Sequence, residues 1–182
     1  MEWYKIVAKG FGADPNVIFD TPPTSEDCLF LNIWQPLSGD LSDLPVMVWI
    51  HGGGNVGGWA YEPNYIGAEL ASEGVIVVSI GYRLGVFGFL AHPELSKESP
   101  HDSSGNYGIL DQIEALKWIQ RNINEYGGNP ENTLRFLVSL RVLEISVIFS
   151  FRLWRTIFST KRLCKAEDGR LNWTESWLKM KR

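Results

Sequence analysis

Apolar and polar residues change period several times along the chain, and each period predicts an element. Residues 29–34, LFLNIW, alternate around Leu29, Leu31 and Ile33 and stop before Pro36, which is the two-residue period of a strand. Two later runs, LPVMVWI at 44–50 and GVIVVSIGY at 74–82, are continuous and largely β-branched. Such runs predict strands buried on both faces of a mainly parallel sheet, and that demands covering helices. A helix is predicted over NYGILDQIEALKWIQRNINEYGG, where Ile109, Ile113, Leu116, Ile119 and Ile123 recur at steps of three and four. Gly127 and Gly128 supply its left-handed stop, and Pro130 breaks the path beyond. TLRFLVSL at 133–140 serves as the next strand. Strand, glycine loop, strand, helix, strand is the order of an α/β layer fold.

The glycine loop, HGGGNVGG at 51–58, follows directly on a buried strand. Neither G-x-x-x-x-G-K-[ST] nor G-x-G-x-x-G fits it, which disfavours a nucleotide phosphate. An oxyanion hole fits better: backbone N–H groups face the charge of a tetrahedral intermediate, and side chains would block the close approach. The same glycines suit a plain tight turn with His51 as a packed or capping residue. His51 sits beside the glycines and not opposite a nucleophile, so it reads as a loop-shaping residue rather than a catalytic base.

Composition narrows the partners. The chain has 182 residues, 45% of them hydrophobic, enough for one globular domain with a sizeable core. Its net charge of −4, mixed in sign over residues 1–132, offers no basic footprint for nucleic acid. The opening MEWYKIVAKGFGADP lacks the apolar core of an export signal, and no run reaches the roughly 18 apolar residues of a membrane span. No compartment is assigned. Cys28 and Cys164 are too few and too widely separated for a zinc site, while a disulfide stays open. No cofactor or metal is expected. Composition shifts near residue 133: most of the basic residues fall beyond it, glycine nearly vanishes, and LVSLRVLEISVIFSFRLWRTIFSTKRLCK keeps no sustained period. Residues 1–132 and 133–182 are therefore treated as two units, and NWT at 172–174, formally a glycosylation acceptor, as chance.

SEDCLFLNIWQP at 25–36, PVMVWIHGGG at 45–54, YRLGVFGFL at 82–90, and GNYGILDQIEALKWIQRNI with GGNP at 105–130 together resemble the type-B carboxylesterases, the cholinesterase-like branch of the α/β-hydrolase fold. The resemblance covers residues 24–132, with four motifs in the family's order. It implies an incomplete α/β-hydrolase fold: the N-terminal part of the central mixed, mainly parallel sheet with covering helices. It also implies a small-molecule carboxylic ester as substrate and an oxyanion hole to which the N–H groups of Gly53 and Gly54 contribute. Asn55 stands where the family commonly has an aromatic residue, and Gly81 where it commonly has asparagine. Cys28 matches a family cysteine that bridges to one further upstream, yet no cysteine precedes it. Arg83 and Asp111 match family positions that a buried ion pair or a helix-start acid explains without chemistry.

After GGNP the family continues into a short strand and G-E-S-A-G, the elbow that exposes the nucleophilic serine. This chain has TLRFLVSLRV, and Ser139 is flanked two places away by Leu137 and Arg141, too bulky for that elbow. Thr133 to Val142 nevertheless admits codons that, read from the last base of the first, translate as V-T-I-F-G-E-S-A-G. The expectation is a change of reading frame near Asn132, or altered splicing, with the tail off-family. The nucleophile, acid and histidine of the triad are then all absent, leaving a serine-esterase fragment that is inactive as given. The alternatives are a non-catalytic, adhesion-type homologue and an unstable truncated product that self-associates.

Overall fold

The computed structural model describes residues 22–62 and 65–131 and, further on, the backbone of two strands at 135–138 and 164–165. Ser139, the NWT triplet and the rest of the tail, and residues 1–21, lie outside the described residues.

The two continuous apolar runs form adjacent parallel strands. Val46–Ile50 (β2) and Ile76–Ile80 (β3) pair from Val46 opposite Ile76 to Ile50 opposite Ile80, and every residue of both is buried. Arg135–Val138 (β4) runs parallel to β2 on its other side, and Cys164–Lys165 (β5) runs parallel to β4. Leu31–Trp34 (β1) lies antiparallel to β3, giving the order β1-β3-β2-β4-β5. The sheet is mixed and mainly parallel, as the unbroken β-branched runs predict. The first strand is shorter than its alternation suggests: Leu29 and Phe30 stay outside it, 54% and 62% exposed.

Because side chains alternate across a strand, the sheet builds a core on each face. Val46, Val48, Ile50, Ile76, Val78 and Ile80 pack with Leu116, Ile119 and Ile123 on one side, joined by Leu31 and Ile33. Met47, Trp49, Val75 and Val77 pack with Leu70 on the other, joined by Trp34. Leu70 belongs to Ala68–Ser72 (α1), and the opposite cover comes from Tyr107–Asn122 (α4). Between β3 and α4 come two further short helices, Gly85–Phe89 (α2) and Pro93–Glu98 (α3). Helices of five or six residues are too short to leave a periodic signature, and the sequence does not announce them.

The long helix departs from its expected stripe in two ways. It ends at Asn122 and tightens into a 3-10 turn, Ile123–Tyr126, which Gly127 closes at φ +81°. Its first two turns bury Gly108, Asp111 and Gln112, leaving Ile109 and Ile113 only half-buried. Asp111 is thus a buried ion-pair partner one turn inside the helix, whose first turn holds no acid; the helix-start role does not apply.

Candidate functional site

The glycine loop leaves the C-terminal end of β2, the edge at which open α/β sheets bind ligands. Gly53 has φ +117° and Gly54 φ +62°, both in the region that an L side chain strains to enter. At Gly53 a Cβ would overlap the carbonyl oxygen of Gly57; at Gly54 the space is open. The Gly53 carbonyl accepts the N–H groups of Val56 at 3.2 Å and Gly57 at 3.3 Å, folding the loop back on itself. Among the described residues neither the Gly53 nor the Gly54 N–H donates to a protein acceptor. Two adjacent donors therefore stand at a half-exposed to exposed loop edge.

His51 is the loop's buried root, 1% exposed. Its Nδ1 lies 2.9 Å from the Gly52 carbonyl, which can only accept, so the proton resides on Nδ1. Burial pushes the imidazole pKa down to about 4, and the ring is neutral at physiological pH. The Tyr82 ring stacks on it at 4.5 Å, and the Tyr82 hydroxyl donates to the His51 carbonyl at 2.7 Å. A Cβ at Gly58 would stand 2.5 Å from His51 Nδ1, so that glycine makes room for the imidazole. These contacts fit the loop-shaping reading of His51. Glu62, also buried, accepts the Trp59 N–H at 3.3 Å and closes the far end of the loop.

Asn55 takes φ +65°, a conformation its short polar side chain tolerates better than an aromatic ring would. Its carbonyl accepts the Gly85 N–H at 2.6 Å, while its Oδ1 is buried without a hydrogen-bond partner among the described residues. Arg83 and Asp111 form a bidentate pair, Nε to Oδ2 at 2.8 Å and Nη2 to Oδ1 at 2.7 Å. The same Oδ2 accepts the Arg83 N–H at 3.0 Å. The Asp111 hydrogen bond holds the guanidinium pKa above its usual range, and Tyr107 lies under the cation at 5.5 Å.

Gly81, where the related pattern carries asparagine, lies so close to the neighbouring chain that a Cβ would come 2.8 Å from the Cys28 carbonyl oxygen. Cys28 itself is unbridged, and partial burial raises its thiol pKa. Sequence reasoning placed Gly53, Gly54 and His51 together. It missed Tyr82 and Glu62 as loop supports: Tyr82 lies in the YRLG motif, where the arginine draws the eye, and nothing in the local pattern marks Glu62.

The chain matches the Carboxylesterase family over residues 2–134, beginning ahead of the first motif at residue 25. The chain belongs to the carboxylesterase family. Among carboxylesterases with curated descriptions, it is 48% identical over 136 residues to fumonisin B1 esterase of Sphingopyxis macrogoltabida, covering 75% of this chain and 25% of the relative. It is 43% identical over 140 residues to para-nitrobenzyl esterase of Bacillus subtilis, covering 76% and 28%. A solved PNB esterase superposes with a TM-score of 0.65 at 38% identity, covering 76% of this chain and 29% of that one. A Geobacillus stearothermophilus carboxylesterase gives 0.66 at 37%, covering 81% and 31%. These neighbours are α/β-hydrolase carboxylesterases, and the partial mixed sheet with its helices is an incomplete version of their fold. The chain spans about a quarter of the length of the curated carboxylesterases it matches.

Proposed function

We infer that this chain carries the oxyanion loop of a serine carboxylic-ester hydrolase acting on small-molecule esters, and that by itself it does not turn them over. The observation that carries this is the pair of N–H groups at Gly53 and Gly54, uncommitted among the described residues, at the C-terminal end of a central parallel strand. In such a reaction a serine attacks the ester carbonyl, a histidine takes the hydroxyl proton, and an acid orients that histidine. The carbonyl oxygen gains the negative charge, and the two glycine donors receive it. A preorganised donor of this kind contributes about 10²- to 10³-fold in rate. His51, neutral and committed to Gly52, holds the loop and takes no part in proton transfer. In this reading the frame changes near Asn132 and the residues from 133 onward are off-family: the family-model match ends at residue 134, although the alignment with carboxylesterase 1C of Mus musculus covers 86% of this chain and runs past that point.

Sequencing the coding DNA from codon 125 onward tests the frame. A neighbouring frame is expected to encode G-E-S-A-G followed by further family sequence, and its absence from both neighbouring frames would sink the frame change. The given chain is expected to release p-nitrophenol from p-nitrophenyl acetate no faster than its Gly54→Pro variant. The product with the frame restored is expected to hydrolyse that ester and to lose about 10²- to 10³-fold in kcat when Gly54 becomes proline. Saturable turnover by the given chain, or a restored product indifferent to Gly54, would overturn the reading.

A further inference from the structure

Two hydrogen bonds cross from the segment that follows β3 to the glycine loop. The Tyr82 hydroxyl donates to the His51 carbonyl at 2.7 Å, and the Gly85 N–H donates to the Asn55 carbonyl at 2.6 Å. One grips the loop at its root and the other just past its tip, so together they bracket Gly52, Gly53 and Gly54. The segment that supplies them is itself held at Arg83, whose N–H, Nε and Nη2 all donate to the Asp111 carboxylate at 2.7–3.0 Å. The Arg83 carbonyl is wedged between helices, since a Cβ at Gly108 would lie 2.5 Å from its oxygen. A continuous run of directional contacts thus leads from α4 through Arg83 to Tyr82 and Gly85, and on to the carbonyls flanking the Gly53 and Gly54 N–H groups.

We propose that residues 82–85, locked to α4 by the Arg83–Asp111 pair, are the template that aims the Gly53 and Gly54 N–H groups, with Tyr82 and Arg83 as positioning residues. The His51 peptide plane fixes the direction in which the chain enters the glycines. Tyr82 holds that plane by a hydrogen bond at its carbonyl and by ring contact with the side chain. Glycines at 52 to 54 impose no direction of their own, because their backbone is permissive. The directing information must come from outside them, and the exit of β3 supplies it. Arg83 acts at one remove: a lysine in its place would keep the charge but lose the planar fork that holds both carboxylate oxygens. The oxyanion role of the loop rests on the preceding proposal, whereas the template itself does not.

The test uses the full chain, labelled with 15N, alongside Tyr82→Phe, Arg83→Lys and a control, Tyr65→Phe, which removes a hydroxyl from a neighbouring aromatic residue. In Tyr82→Phe the amides of Val56, Gly57 and Gly85 are expected to exchange with solvent about five- to tenfold faster, the measure of one lost hydrogen bond. The Gly53 and Gly54 resonances are expected to move while Leu116 and Ile119 keep their exchange rates. Arg83→Lys is expected to perturb the same loop amides without touching any of them, and Tyr65→Phe to leave them alone. Peptide-level exchange by mass spectrometry over 46–62 against 107–122 gives the same comparison where resonances are too broad. Loop amides unchanged in Tyr82→Phe, or accelerated no more than those of α4, would overturn the template. A template confirmed in this way, beside a frame-restored product that hydrolyses nothing, would leave it standing and remove only the oxyanion role.

Discussion

At the scale of single residues, the loop is held by a buried imidazole that must stay neutral. The pKa of His51 falls from 6.5 to about 4 because burial disfavours the cation. Between those values the unfolded chain binds a proton that the folded chain refuses. The stability tied to His51 is therefore complete above pH 6.5 and is lost progressively as pH falls toward 4, by about 3 kcal/mol in all. Native-state hydrogen exchange, corrected for the intrinsic rate, is expected to show β2 opening more readily on acidification from pH 7 to 4.5. His51→Gln is expected to flatten that dependence, since no proton is then taken up at this position. An imidazole titrating near 6.5 in the folded chain would contradict it. The Gly53 and Gly58 positions belong to the same small machine, one required by its left-handed φ and crowded Gly57 carbonyl, the other by the space the imidazole fills.

At the scale of elements, the long helix divides into two functions. Its second half covers the sheet through Leu116 and Ile119, both almost wholly buried. Its first half works through polar and small residues, with Asp111 holding Arg83 and Gly108 admitting the Arg83 carbonyl. Leu116→Ala is expected to lower the opening free energy of the β2 and β3 amides by about 2–5 kcal/mol, the cost of a cavity in a packed core. Leu110→Ala, at a position 52% exposed, is expected to stay within about 0.5 kcal/mol. Equal losses at both positions would mean that the helix face is assigned wrongly. The apolar period marks the covering half clearly. It does not mark the clamping half, because an aspartate and a glycine buried for their contacts look polar or neutral in any hydropathy pattern.

At the scale of the whole molecule, a notable amount of apolar surface faces solvent around the site-bearing end. Val86 and Phe87 on α2 are each 65% exposed, and Phe30, Leu29 and Leu110 are more than half exposed. At about 25 cal/mol per Å², leaving about 400 Å² of such surface wet forgoes about 10 kcal/mol, comparable with the net stability of a domain. Exposed apolar patches also favour association. The isolated chain is expected to bind ANS and to sediment as concentration-dependent oligomers. Phe87→Glu is expected to shift sedimentation toward the monomer. A monomeric, ANS-silent chain with a cooperative heat-capacity peak would show that this surface is covered, and would favour a stably folded interaction protein over an unstable product.

The sequence by itself determined the parallel strands, the long helix and the glycine loop, because each is written in a local signal: unbroken β-branched runs, a 3.6-residue period, and consecutive residues without side chains. It also determined the family, because four motifs keep their order along one stretch of chain. Only the tertiary structure decided what surrounds the loop. Tyr82 lies 31 residues from His51 and Arg83 28 residues from Asp111, and neither spacing has a period that would announce the contact. Helices of five and six residues were invisible for a related reason: they are stabilised by what they cover, not by a repeat of their own. Strands and long helices are legible because one chain segment carries their whole pattern. The aim of two backbone N–H groups is set by the meeting of β2, the exit of β3 and α4, and becomes definite only once all three are packed together.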